Sequence, residues 1–354
     1  MKKNHNLYTN LAFNLAETNL GRTKTNPSVG CVVVKNQSVI SSGITSTNGR
    51  PHAEFNALNK KINFNGSIMY VTLEPCTHFG ITFPCTNIIK KKKIKRVYYS
   101  FYDPDPRTYK KAKKVFKSAY KNNQIEQKFK DFYESYFLNK EKKIPLIDAK
   151  IAISKDFFTI NKKSKWITNY RSRKVAHLIR SKYNCIVSTS ETINKDNALL
   201  NCRIEGLEKG GPDLIIIDRK LKLKKNLRLF DSSKGRKIYI FTTSKNIKKI
   251  SFFRKKKLKL IKIKKLENRY DFINLFKQIY KYGYGRILIE TGLIFINELF
   301  KLKLLDNLYL FKTDKNLNHN GYNNSGVDFL KKIKLKKRID VNLINDKLYK
   351  IKIK

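Results

Sequence analysis

Residues 50–54 read Arg50-Pro51-His52-Ala53-Glu54, and residues 74–85 read Glu74-Pro75-Cys76-Thr77-His78-Phe79-Gly80-Ile81-Thr82-Phe83-Pro84-Cys85. One histidine and two cysteines in this order can hold zinc through three protein ligands, with the fourth position left to water. A glutamate two places after the histidine can move protons beside the metal without ligating it. These residue types are the ones that hydrolytic removal of an amino group from a nucleobase-like ring requires. His52, Cys76 and Cys85 are therefore the candidate metal ligands, and Glu54 is the candidate catalytic proton shuttle. Each alone would be an ordinary packing residue; the ordered set carries the reading. His78 is read as a pocket residue and Cys31 as a buried strand residue, because three ligands and a water already complete a tetrahedron.

The flanking segments supply a scaffold. Leu7, Leu11, Leu15, Ala16 and Leu20 recur at helical spacing. Residues 30–34 read as a buried strand, with 38–42 as its hairpin partner. The turn Gly49-Arg50-Pro51 delivers His52 to the start of a helix. Residues 67–73 form the next strand, and Glu74-Pro75-Cys76 leaves its carboxyl end, where open α/β sheets place their sites. Cys85 opens a second helix. Residues 96–100 make another strand, which runs into Asp103-Pro104-Asp105-Pro106. Alternating strands and helices imply a layered α/β domain.

The 354 residues are enough for two domains. A lysine-rich connection at 139–143, before Pro145, places the boundary, giving domains at 1–143 and 144–354. In the second, apolar runs at 146–154, 184–188, 213–218, 237–242 and 286–290 alternate with helical patterns such as 169–182 and 271–283. Such short continuous strands predict a largely parallel sheet covered on both faces. Five cysteines make no disulfide framework, and Cys185 and Cys202 read as apolar residues. No export signal is evident, and no apolar run nears the ~20 residues that cross a bilayer. A soluble, cytoplasmic protein is expected. The balance of 77 Lys+Arg against 27 Asp+Glu gives a formal charge of +50. That charge invites a nucleic-acid reading, and a nucleic-acid-binding or RNA-editing deaminase is the rival from another class. The lysines, however, are spread over the whole chain among asparagines and isoleucines, as biased codon usage would leave them. No specific nucleic-acid partner is expected.

The gap of eight residues between Cys76 and Cys85 differs from the tight Pro-Cys-x-x-Cys of nucleoside and tRNA deaminases. Pro75, Cys76, His78, Gly80, Thr82, Pro84 and Cys85, with the earlier Asn26-Pro27-Ser28-Val29-Gly30-Cys31, resemble the deaminase of riboflavin biosynthesis. Trp166-Ile167-Thr168, Arg180, Thr192, Asp196, Arg203, Glu290 and Gly292 follow the order of the reductase of the same pathway. Together the two resemblances cover nearly the whole chain. They imply a cytidine-deaminase-like three-layer α/β/α domain followed by a dihydrofolate-reductase-like α/β domain. They also imply zinc-dependent deamination of a diaminopyrimidinone ribosylamine phosphate, then NADPH-dependent reduction of its ribosyl group to ribityl. By the same resemblance Ser164, Arg180, Leu200, Arg203 and Glu290 bind the substrate. Trp166, Thr192, Asp196 and the stretch from Gly292 bind the cofactor, and a homo-oligomer is expected. The sequence departs from the family pattern at Arg107 to Lys111, Phe157, Asn197-Ala198 and Leu293. A deaminase with an impaired reductase-like domain is therefore the nearer alternative.

Overall fold

The computed structural model describes residues 2–207, 211–231, 235–335 and 338–354. The chain divides into two compact units, Met1–Lys143 and Ile144–Lys354. In the first, the β-branched run after Gly30 forms β1 (Gly30–Lys35), which returns antiparallel as β2 (Ser38–Ile44). The two turn residues, Asn36 and Gln37, both take positive φ (50° and 62°), as the tight hairpin turn that matches strand twist requires. Next come β3 (Ile68–Leu73), β4 (Arg96–Phe101) and β5 (Ala119–Lys121), in the sheet order β2-β1-β3-β4-β5. β3 runs antiparallel to β1, while β3, β4 and β5 are mutually parallel.

Helices α1 (Lys2–Thr18), α2 (Ala53–Leu58) and α3 (Cys85–Lys91) precede the short α4 (Ala112–Val115) and α5 (Glu126–Phe129) and the longer α6 (Glu134–Lys142). Side chains alternate across β1. Val32 and Val34 pack with Tyr8 and Ala12 of α1, whereas Cys31 and Val33 pack with Ala53, Ala57 and Leu58 of α2. Helices thus cover both faces of the sheet. Two glycines allow the close approach. A Cβ on Gly30 would lie 1.9 Å from the Ala12 carbonyl oxygen, and one on Gly43 would lie 2.4 Å from both the Ala53 oxygen and the Ala57 nitrogen.

Residues 139–142, read from composition as a connection, instead continue α6. Tyr136 and Asn139 are buried on its inner side, so the lysines mark the outer face of a helix and not a linker.

The second unit holds β6 (Leu146–Ile153), β7 (Ile160–Asn161), α7 (Tyr170–Ser181), β8 (Cys185–Thr189), α8 (Ser190–Asp196) and β9 (Asp213–Ile217). It continues with β10 (Ile238–Thr242), α9 (Ile247–Lys255), β11 (Lys259–Lys262), α10 (Arg269–Lys281), β12 (Arg286–Ile289) and α11 (Leu293–Lys301). The last elements are β13 (Asn307–Thr313), β14 (Gly321–Tyr322), α12 (Asp328–Lys332) and β15 (Asp346–Lys352). The main sheet has the order β11-β10-β9-β8-β12-β6-β13-β15. Every neighbour pair in it is parallel except β13 with β15.

Asparagine caps open α7, α9 and α10: Asn169, Asn246 and Asn268 each accept a backbone N–H from the first turn. One face of the sheet, including Ile147, Val187, Ile215 and Ile289, packs on α10 and α11 through Phe276, Ile279 and Ile296. Ile186, Leu214, Ile216 and Ile240 point to the other face. A parallel sheet buried on both faces is therefore present, and its strands end together where the residues discussed below are found.

Candidate active sites

In the first unit, three chain segments converge. His52 is the N-cap residue of α2, Cys76 follows β3, and Cys85 is the first residue of α3. Their ligand atoms all lie within 4.8 Å of one another. His52 Nδ1 is 3.3 Å from Cys85 Sγ and 3.7 Å from Cys76 Sγ. Tetrahedral zinc with Zn–N of about 2.0 Å and Zn–S of about 2.3 Å spaces nitrogen and sulfur ~3.5 Å apart, so the donor set fits that ion. The Cys85 N–H donates to Cys76 Sγ at 3.2 Å. Hydrogen bonding from the Cys85 side chain, reinforced by His52, pulls the Cys76 thiol down to about 4. Cys85 is pushed well up, by its bond to Cys76 and then by burial. Two sulfurs and an imidazole nitrogen are thus already gathered for a metal.

Glu54 stands on the first turn of α2 and is only 4% exposed. Burial raises its carboxyl to about 7, against the lowering effect of His52. A group that titrates near neutrality both takes and returns a proton readily. Glu54, His52 and Cys76 border a cavity of about 90 Å³ that also touches His78 and Arg50. His78 is outside the ligand cluster, its Nδ1 lying 3.0 Å from Thr108 Oγ1. Cys31 is fully buried in β1. Sequence reading missed Glu74. Its buried carboxylate accepts the N–H groups of Asp103, Lys110 and Ala112 at 3.3, 3.0 and 2.9 Å. It thereby ties down the loop that departs from the family pattern. The available signal was an acid at the end of an otherwise apolar strand.

In the second unit, all nine candidate residues border one cavity of about 1120 Å³. Arg180 of α7 donates Nε to Glu290 Oε1 at 2.5 Å and Nη2 to Glu290 Oε2 at 2.9 Å. Its Nη1 reaches the Asn201 carbonyl at 3.0 Å. Burial would raise the Glu290 carboxyl, but the charge and hydrogen bonds of Arg180, with Lys150 beyond, hold it at about 2. Arg203 keeps an exposed guanidinium, bonded to Asn201 Oδ1 at 3.0 Å. Leu200 is buried and has φ of 49°. Ser164 Oγ accepts the Trp166 N–H at 3.1 Å. Trp166 is 50% exposed, with the Arg173 guanidinium 4.6 Å above its ring.

Thr192 Oγ1 accepts the Gly292 N–H at 3.1 Å, which joins α8 to the start of α11. Asp196 ends α8 and accepts Lys165 Nζ at its carbonyl, 2.7 Å away. Gly292 is the N-cap residue of α11. A Cβ there would meet nothing nearer than 3.8 Å, so a ligand can reach the helix N-terminus, where backbone N–H groups favour phosphate. A cavity of this volume, with an accessible helix start and a half-exposed indole face, fits a dinucleotide.

Lys150 was missed in the sequence. It projects from β6 into this cavity, with Nζ 3.9 Å from Glu290 Oε2, and burial lowers its pKa. Its signal was a lysine inside the apolar run 146–154. The family departures are accommodated in the backbone. Phe157 adopts φ of 65° and Asn197 adopts 44°, both left-handed, and Asn tolerates that region best after Gly. The Asp156 carboxylate holds the Phe157 turn by accepting the N–H groups of Leu317 and Asn318 at 3.0 and 2.8 Å.

Comparison with known proteins follows the same division. Residues 2–101 match the cytidine and deoxycytidylate deaminase zinc-binding region, and residues 145–315 match the RibD C-terminal domain. The riboflavin biosynthesis protein RibD of Aquifex aeolicus is 31% identical over 314 residues, covering 87% of this chain and 86% of that one. The protein of the same name from Buchnera aphidicola subsp. Baizongia pistaciae is 31% identical over 325 residues, with 87% and 86% covered. Among solved structures, a diaminohydroxyphosphoribosylaminopyrimidine deaminase/5-amino-6-(5-phosphoribosylamino)uracil reductase from Thermotoga maritima superposes with a TM-score of 0.82 at 26% identity, covering 99% of both chains. RibD of Acinetobacter baumannii has the same TM-score and coverage at 23% identity and shares the fold.

Proposed function

The chain belongs to the RibD family of riboflavin-biosynthesis deaminase/reductases, and we propose that its two units divide the two reactions, residues 1–143 deaminating and residues 144–354 reducing. The enzyme is bifunctional and uses zinc and NADPH. The observation that carries the reading is the convergence of His52 Nδ1, Cys76 Sγ and Cys85 Sγ within 4.8 Å, beside a buried Glu54.

His52, Cys76 and Cys85 would hold zinc, which when bound would acidify a water from ~15.7 towards ~7. Glu54 would carry the two protons of that water in turn, the first to the ring nitrogen as oxygen adds and the second to the amine, which leaves as ammonia. Its raised pKa suits both steps. The substrate is a phosphorylated diaminopyrimidine. In the second unit the cavity would hold NADPH, whose chemistry would be hydride donation to the sugar carbon. Trp166, Thr192, Asp196 and Gly292 position the cofactor, and Ser164, Leu200 and Arg203 bind the deaminated substrate. Arg180 acts through Glu290, because its guanidinium is already engaged with that carboxylate and the Asn201 carbonyl.

The five cysteines are free thiols, and among the described residues no helix is long and apolar enough to cross a membrane. We place the enzyme in the cytoplasm and expect a homo-oligomer, which sedimentation would test. The division of labour is tested by Cys85→Ser. This variant should lose zinc and deamination together, yet still oxidise NADPH with already deaminated substrate. A folded variant that loses both reactions would overturn the division.

A further inference from the structure

His52 turns Nδ1 towards both cysteine sulfurs. With that nitrogen as the ligand, the ring proton resides on Nε2. Nε2 faces Arg50 Nη1 at 3.2 Å, and a guanidinium has no acceptor. Two N–H donors therefore point at one place and cannot satisfy each other. Arg50 Nη1 also donates to Thr82 Oγ1 at 2.6 Å, which brings the loop between the two cysteines to the same spot. The other cations bordering this cavity are committed elsewhere: Arg107 and Lys140 both pair with Asp105, at 2.7 and 2.9 Å. Arg50 forms no ion pair among the described residues.

We propose that the Arg50 guanidinium, the His52 Nε2–H and the Thr82 hydroxyl form the seat of the substrate's phosphate in the deaminating unit. A phosphate oxygen accepts from Nε2–H and Nη1 together, which removes the donor–donor mismatch. A second oxygen takes the remaining face of the planar guanidinium, whose fork matches phosphate geometry. The anion would also fix the orientation of a metal ligand, since an acceptor on the outer imidazole nitrogen sets the ring's tautomer and tilt. Arg50 is thus a binding and positioning residue and takes no part in the proton transfers. The assignment rests on reading the first unit as the deaminase of a phosphorylated pyrimidine.

The test compares native enzyme, Arg50→Gln and Arg50→Lys on the phosphorylated substrate and on its dephosphorylated riboside. In Arg50→Gln the preference for the phosphorylated form, as a ratio of kcat/KM values, should fall by roughly 10–100-fold, the worth of a charge-assisted hydrogen bond. Arg50→Lys should restore part of it. An independent readout is the His52 Nε2–H resonance of zinc-loaded, nitrogen-15-histidine-labelled protein titrated with ribose phosphate. It should shift in the native enzyme and stay still in Arg50→Gln. Equal losses on both substrates, or a resonance indifferent to ribose phosphate, would overturn the proposal. A shifting resonance in an enzyme that deaminates neither substrate would uphold the phosphate seat and overturn the deaminase reading instead.

Discussion

Removing Arg180 should convert Glu290 from a stabilising group into a destabilising one. The Glu290 carboxyl is buried and held at about 2. Its ordinary value is 4.5, and holding it at about 2 is worth about 3 kcal/mol at ~1.4 kcal/mol for each tenfold change in proton affinity. A carboxylate depressed in this way stabilises the fold fully above its unfolded pKa, and that contribution fades as pH falls from about 4.5 to about 2. Arg180→Met keeps much of the side-chain volume but leaves Glu290 with burial, which raises its pKa, and with Lys150 3.9 Å away. The expected loss is about 3–5 kcal/mol near pH 8, the cost of breaking one partner from a buried pair. It should shrink steadily towards pH 3. First the variant's Glu290 takes up its proton at no cost relative to the unfolded chain, and then the native pair loses its own advantage. Urea unfolding followed by Trp166 fluorescence reads this directly, because Trp166 is the only tryptophan and lies in the second unit. Adding Glu290→Gln to Arg180→Met should recover most of the loss. A deficit under about 1 kcal/mol, a deficit constant from pH 8 to 3, or no recovery in the double variant would refute the reasoning.

Three further outcomes are expected. Glu54→Gln should retain zinc while deamination falls by roughly 10²–10⁴-fold; loss of zinc would make Glu54 a ligand instead of a shuttle. Gly43→Ala places a methyl 2.4 Å from the backbone of α2. It should therefore displace His52 and Glu54 together, lowering zinc affinity and deamination in parallel, with NADPH oxidation on deaminated substrate maintained. Glu74→Gln should weaken the anchoring of residues 103–112, seen as faster amide exchange at Lys110 and Ala112 than in the native enzyme; equal exchange rates would deny Glu74 that role.

The candidate metal site was legible because its chemistry is written in residue types. A histidine, a glutamate and two cysteines in fixed order need only a fold that brings them together, and the cap of α2 and the first residue of α3 do so. The central strands of the second unit were equally plain, since strands buried on both faces are mostly short apolar runs. The edge strands were not. β11 and β15 mix lysines with apolar residues, and in a chain with 77 basic residues that pattern is hard to tell from the background. The same background made the end of α6 look like a linker. Lys150 and Arg50 were hidden for a different reason. Their significance lies in partners distant in sequence or opposed in hydrogen-bonding character, namely Glu290 across the sheet and the outer nitrogen of His52. No local pattern encodes either relation. Phe157 shows the reverse case. The sequence flagged the missing glycine, and the backbone keeps the left-handed turn regardless, held by Asp156.

The central claim is that one chain performs both reactions in sequence. Incubating purified zinc-loaded enzyme with the diaminopyrimidine phosphate, with and without NADPH, and following the products by mass tests it most directly. Without NADPH the product should have exchanged its amino group for oxygen and gone no further. With NADPH it should then gain two hydrogens as the ribosyl group becomes ribityl, with cofactor oxidised in equal amount. Brisk deamination with no NADPH consumed would leave only the deaminase and contradict the account.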